Sequence, residues 1–151
     1  MATWNDVENA EPEFAARVRR MFDAHKHKTI ATLRADGSPR ISGIEVEFVA
    51  GELAFGSMPG SRKGADLRRD PRFALHSASV DPPTDDPAGW PGDAKVAGRA
   101  VHTGPLTGEP PGEGFRADLD EVVLTGLNEA GTRLRIETWR PDVGLCRIER
   151  D

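Results

Sequence analysis

Thr29-Ile-Ala-Thr-Leu-Arg-Ala-Asp-Gly-Ser-Pro-Arg-Ile-Ser-Gly-Ile-Glu-Val-Glu-Phe-Val49 carries two strand signals around one turn signal. Thr29 to Arg34 is rich in β-branched residues, which fit a pleated, half-buried surface. Asp36-Gly37 follows, and glycine accepts the positive φ that a tight hairpin turn demands. From Arg40 to Val49 the polarity alternates, with Ile44, Val46 and Phe48 on one face and Glu45 and Glu47 on the other. Ile41 has the wrong parity for that pattern. Ser42-Gly43 lies at the break, so a bulge or a close backbone approach is expected there. Ala50-Gly51 turns into a third strand, Glu52 to Ser57, which completes an antiparallel meander.

Upstream, Pro12 to His25 reads as an amphipathic helix, because Phe14, Val18, Met21 and Phe22 recur at helical spacing among Arg17, Arg19, Arg20 and Asp23. Downstream, Met58-Pro-Gly60 ends the third strand. Ser61 can cap a helix running to about Arg69, and Asp70-Pro71 stops it. Phe73 to Ser77 is a fourth strand, and Asp81 to Asp93, rich in Pro, Gly and Asp, is a surface loop or lid. Lys95 to Thr103 is a fifth strand, and Gly104 to Gly114 is a second Pro/Gly-rich connection. Asp118 to Leu127, Thr132 to Trp139 and Leu145 to Glu149 are strand-like, separated by the turns Asn128 to Gly131 and Pro141 to Gly144. Short strands with few helices predict a mainly β fold, an antiparallel barrel whose open ends the helices cover.

The 151 residues suit one domain spanning 1–151. Hydrophobic residues make up 37% of the chain and charged ones 30%, with a mean hydropathy of −0.52, so the apolar segments suffice for a core and oligomerisation would help it. A net charge of −5 and a pI near 5.4 argue against general nucleic-acid binding, which needs a basic face. No apolar run reaches the roughly 18 residues of a membrane helix. Met1 to Glu13 is acidic and lacks the pattern of a secretory signal, so a cytoplasmic location is expected. The single cysteine, Cys146, forms no intrachain disulfide and is expected to be a buried thiol. His25 and His27 lack a matching carboxylate or cysteine set, so no metal is expected. His76 and His102 fall within strand patterns, with His76 the better placed to line a pocket.

Chemistry concentrates in Ser57-Met-Pro-Gly-Ser-Arg-Lys63 and Leu67-Arg-Arg-Asp-Pro71. A strand ends, a glycine turn follows, and a helix opens with a hydroxyl and two cations. A helix N-terminus offers free N–H groups and a partial positive charge, and Arg62 adds a fork that matches phosphate oxygens. Two readings fit: a phosphate cradle built from Ser61, Arg62 and Lys63, or a capped surface helix with solvated charges. Arg40 stands either as a further anion ligand, with backbone groups of Ile41, Ser42, Gly43 and Ile44 lining a flat ring, or as a solvated residue after a turn.

The succession Thr32 to Ile41, Gly51 to Ser57, and Ser61-Arg-Lys63 with Leu67 and Asp70-Pro71 resembles the pyridoxamine 5′-phosphate oxidase-like, flavin/deazaflavin oxidoreductase superfamily. The match covers about Phe14 to Ala78, and the remainder by strand pattern. The resemblance implies a six-stranded split β-barrel of FMN-binding type with flanking short helices. It also implies a homodimer with the cofactor at its interface and FMN, or alternatively the deazaflavin F420, as cofactor. It assigns the FMN phosphate to Arg40, Ser61, Arg62 and Lys63, and the flavin border to Phe55, Gly56 and Ser57. Trp139 and Arg147 match the family's C-terminal Trp and Arg segment, although Trp139 reads equally as an aromatic packing on the barrel or at an interface. Two positions depart from the pattern: Glu45 stands near a family lysine, and Glu149 replaces a histidine, which puts a vitamin B6 phosphate substrate in doubt.

A flavin carries out electron transfer itself while the protein orients it, so no catalytic side chain is assigned. An FMN-dependent oxidoreductase acting on a small organic substrate leads, with substrate access expected beside Asp81 to Asp93. An F420-dependent reductase and a non-catalytic flavin- or haem-binding module are the alternatives.

Overall fold

The computed structural model describes residues 1–151. Asp36-Gly37 makes the turn the sequence predicts, with Gly37 at φ +85°, between β1 (Lys28–Leu33) and β2 (Pro39–Ile44). These strands pair antiparallel, Thr32 opposite Arg40 and Lys28 opposite Ile44. At Glu45 the extended segment changes partner. Its continuation, β3 (Val46–Val49), pairs with β4 (Glu52–Ser57), Val46 opposite Phe55.

The other wall strands are β5 (Arg72–His76), β6 (Asp93–Pro105) and β7 (Glu113–Leu127), and the sheet order is β2-β1-β5-β6-β7-β4-β3. The two ends of that order are the two halves of one segment, so the chain itself closes the circuit at Glu45. Every neighbouring pair in that order is antiparallel. Counting Pro39 to Val49 once makes this a six-stranded split barrel. β8 (Leu134–Arg140) and β9 (Gly144–Arg150) form a hairpin that extends outward from β7.

Ser42 and Gly43 keep regular register opposite Ile30 and Thr29. The irregularity expected there sits two residues later, where the ladder is handed from β1 to β4. Ile41, the residue of wrong parity, is 74% exposed, while Ile44 is buried and Val46 and Phe48 pack against the core.

Both long strands extend into the segment read as a connection, β6 to Pro105 and β7 from Glu113. Gly114 lies opposite Gly56 on one side and Gly104 on the other. A Cβ on Gly114 would come within 2.7 Å of Thr103 Oγ1. Gly114 therefore serves a close approach of strands, whereas Gly104, with open space where a Cβ would stand, takes φ +99° beside a register shift in the ladder.

An additional helix, α1 (Trp4–Ala10), precedes α2 (Pro12–Asp23). Its signal is a reciprocal cap: Thr3 Oγ1 accepts from Asp6 N–H while Asp6 returns a bond to Thr3 N–H. Trp4, Val7, Phe14, Val18 and Phe22 are at most 2% exposed. They cover the barrel, Trp4 packing on Phe48 with ring centroids 4.6 Å apart.

The basic helix is α3 (Arg62–Arg69), and Ser61 Oγ caps it by accepting from Gly64 N–H at 3.1 Å. Cys146 is exposed, contrary to the buried thiol expected. It lies on β9, which pairs only with β8 and shows its remaining residues to solvent. No helix is long and apolar enough to cross a membrane.

Candidate functional site

A cavity of about 760 Å³ opens where five pieces of chain meet: His27 ahead of β1, the Glu45 bend, the end of β4, the start of α3 and the stretch from Thr103 to Phe115. Gly43, Ile44, Phe55, Gly56, Ser57 and Lys63 line it, so the structure gathers these six sequence-predicted positions around one space. Ile41, Ser42, Ser61, Arg62, Trp139, Arg147 and Arg40 are not in its wall. The loop Asp81 to Asp93 is not there either. The second Pro/Gly-rich connection takes that place, through Leu106, Thr107, Glu109, Pro110 and Pro111.

At the cavity's edge, oxygens converge on Gly64 in the first turn of α3. A Cβ there would lie 2.6 Å from Ser57 Oγ, 3.0 Å from Ser61 Oγ and 3.3 Å from Glu113 Oε2. Ser57 is 5% exposed, and its hydroxyl has no hydrogen-bond partner. A buried hydroxyl without a partner costs about 1–3 kcal/mol, so a ligand oxygen at this point would relieve a defect already built in.

Lys63 Nζ donates to the Gly43 carbonyl at 2.8 Å, which ties α3 to the end of β2. Burial lowers the Lys63 pKa from its ordinary value, a shift that a nearby anion would oppose. Arg62 is exposed. The first-turn N–H groups of Arg62 and Lys63 are among those a helix leaves without intrahelical acceptors.

The remaining cations of the basic segment are already paired. Arg40 Nε donates to Asp66 Oδ2 at 2.7 Å. Asp66, 2% exposed, also accepts from Thr32 Oγ1 at 2.8 Å and Arg69 Nη2 at 2.9 Å. Burial pushes the Asp66 pKa up, but these donors outweigh it and the net shift is downward. Arg68 binds Glu113 at 2.5 Å, and Arg72 binds Asp70, whose pKa it pulls down to about 2. Asp66 thus holds Arg40 as a strut between β2 and α3.

Trp139 is 4% exposed and belongs to the main hydrophobic core. Arg147 bonds Glu137, a carboxylate 1% exposed that Arg17 of α2 holds from the other side at 2.7 Å. His76 faces the Ser77 carbonyl and Asp93, away from the cavity wall, whereas His27 lines it. His102 packs on Phe115, 3.9 Å from Glu113. Glu113 and Leu106 escaped the sequence reading because both lie inside the Pro/Gly-rich stretch. The one available signal was Glu113 standing at the end of that stretch, just before Phe115.

Searched by sequence against curated proteins, the chain finds no match. In fold it is similar over its whole length to PhzG from Burkholderia lata 383, solved in complex with tetrahydrophenazine-1-carboxylic acid. The TM-score is 0.65 at 13% identity, covering 100% of this chain and 97% of that one. It is similar also to a pyridoxamine 5′-phosphate oxidase-related, FMN-binding protein from Nostoc punctiforme PCC 73102, with TM-score 0.62, 11% identity, and coverage of 100% and 98%. A third likeness is to HutZ, the haem storage protein from Vibrio cholerae, with TM-score 0.54, 13% identity, and coverage of 74% and 90%. At these identities the likenesses establish the fold alone. The family itself is established by sequence: residues 14–104, from the first core phenylalanine of α2 to the last but one residue of β6, match the model of pyridoxamine 5′-phosphate oxidase, and the chain belongs to that family.

Proposed function

We propose that the chain binds FMN, with the phosphate at the start of α3 and the ring system in the adjoining cavity, and acts as an oxidoreductase on a small organic substrate. The observation that carries this reading is the unpartnered Ser57 hydroxyl, buried beside Ser61 and Gly64 at a helix N-terminus. The donor set fits a phosphate: two hydroxyls, the free N–H groups of the first turn, the exposed Arg62 and the part-buried Lys63. A cavity of about 760 Å³ lies within the range of about 300–1,000 Å³ usual for small-molecule sites.

FMN, when bound, supplies the electron-transfer chemistry. The chain's own contribution is placement. Ser57, Ser61, Arg62 and Lys63 anchor the phosphate, and the bend at Gly43 to Glu45 presents backbone to the ring. Phe55 and Phe115, stacked with centroids 5.9 Å apart, line the cavity together. Arg40 acts indirectly, by holding α3 through Asp66.

The proposal includes a homodimer. Met58, 74% exposed, and Leu106, 42% exposed, are apolar side chains on the cavity wall, and a second copy would cover them.

The test is titration of the protein with FMN, riboflavin, F420 and haem, followed by fluorescence and visible spectrum, with solution mass measured alongside. FMN is expected to bind more tightly than riboflavin. Arg62→Ala combined with Lys63→Ala is expected to remove that preference by tenfold or more, since charge-assisted contacts contribute about 1.5–3 kcal/mol each. Equal binding of FMN and riboflavin by the native chain, left unchanged in the double variant, would refute the phosphate site, and a monomer at micromolar concentration would refute the shared interface.

A further inference from the structure

Beside the proposed phosphate site stands a charge of the wrong sign. Glu113 opens β7 directly opposite Ser57 of β4, and opposed residues of paired strands share a face. Its Oε2 approaches the same point above Gly64 that Ser57 Oγ and Ser61 Oγ approach. Its Oε1 accepts from Arg68 Nη1 at 2.5 Å and lies 3.9 Å from His102 Nε2. The side chain is only 23% exposed, so water screens its charge incompletely.

A helix N-terminus attracts anions, and here the chain supplies one of its own. We infer that Glu113 is a specificity-determining residue of the cradle, a tethered anion that lowers the affinity for a doubly charged phosphate monoester and keeps Arg68 from reaching it. The inference rests on the phosphate reading above. Ser57, Ser61, Arg62 and Lys63 attract a phosphate from one side, and Glu113 opposes it from the next strand. A neutral ligand of the same cavity feels neither effect.

The experiment compares dissociation constants for FMN and for riboflavin, which lacks the phosphate, in the native chain, Glu113→Gln, Glu113→Ala and the Arg62→Ala/Lys63→Ala double variant. The riboflavin arm reports whether each variant keeps its cavity. Both neutral variants at position 113 are expected to bind FMN roughly three- to tenfold more tightly relative to riboflavin, the scale of removing one partly screened like charge. If FMN affinity is unchanged or weaker in both while the double variant still loses it, Glu113 does not oppose the phosphate, the inference is overturned and the phosphate site stands. If the native chain shows no preference for FMN and the double variant changes nothing, the phosphate site itself fails and the inference falls with it.

Discussion

Asp66 Oδ2 lies 2.7 Å from Arg40 Nε, with the carboxylate side chain 3% exposed and the guanidinium side chain 18% exposed. This pair, together with the Thr32 hydroxyl, fastens α3 to the β1–β2 hairpin. Arg40→Ala would leave a buried carboxylate with part of its charge uncompensated, and should lower stability by about 3 kcal/mol. Urea denaturation measures this directly. A loss below 0.5 kcal/mol, about what an exposed pair contributes, would show that the strut is not load-carrying in solution.

Acid should unfold the protein through two buried carboxylates. Burial alone would raise the pKa of Asp66 and of Glu137. Bonds from Arg40, Thr32 and Arg69 in the first case, and from Arg17 and Arg147 in the second, outweigh it and leave both lowered. A group whose folded pKa lies below its unfolded value stabilises the fold above the unfolded pKa and loses that contribution as pH falls through the folded one. With unfolded values of about 3.9 and 4.3, these two groups should contribute no pH dependence between pH 7 and 5 and a steep loss of stability below about pH 4. Denaturant unfolding repeated from pH 7 to 2.5 tests the sign. Asp66→Asn should be less stable at pH 7 and show a shallower acid slope.

Ser57→Ala should separate stability from binding. Its hydroxyl is buried and unpaired, so removing it should leave the free protein as stable or about 1 kcal/mol more stable. Affinity for FMN relative to riboflavin should fall at the same time. A thermal melt and a paired titration give both numbers, and lost stability with unchanged binding would mean that the hydroxyl is not held for a ligand.

Gly64→Ala should act on the same point from the helix side. Alanine is favoured over glycine inside a helix by about 1 kcal/mol, but the new methyl would lie 2.6 Å from Ser57 Oγ. Rotation of the Ser57 hydroxyl relieves that clash by turning the donor out of the cradle. The expected outcome is near-neutral stability with FMN affinity reduced severalfold, read by calorimetric titration. Full retention of affinity would place the phosphate elsewhere.

Much of the architecture is legible in the sequence because its signals are local. The Asp36-Gly37 turn, the Ser61 cap, the stop at Asp70-Pro71 and the alternation from Ile44 to Phe48 each depend on residues within a few positions of one another. The same locality makes Ser57, Ser61, Arg62 and Lys63 recognisable as a strand end running into an anion-attracting helix. Strand glycines mislead for a related reason: Gly104 and Gly114 look like loop residues until β6 and β7 are paired, when one proves to sit at a register shift and the other at a close approach to Thr103.

Partnership, by contrast, is decided only in three dimensions. Nothing near Arg40 in the sequence announces that Asp66 will claim it, or that Glu113 will come to rest opposite Ser57. Cys146 is exposed because the β8–β9 hairpin runs out beyond the barrel and no other element packs over that face of β9. The division of Pro39 to Val49 between β1 and β4 depends likewise on where distant strands lie. Which side chains meet is set by the register of strands far apart in the chain, and a register is a property of the whole barrel, since a shift by one residue turns every side chain to the opposite face. Sequence by itself determined the elements and the chemical character of the helix start; the tertiary structure decided which charges are spent on the fold and which, like Arg62, stay exposed.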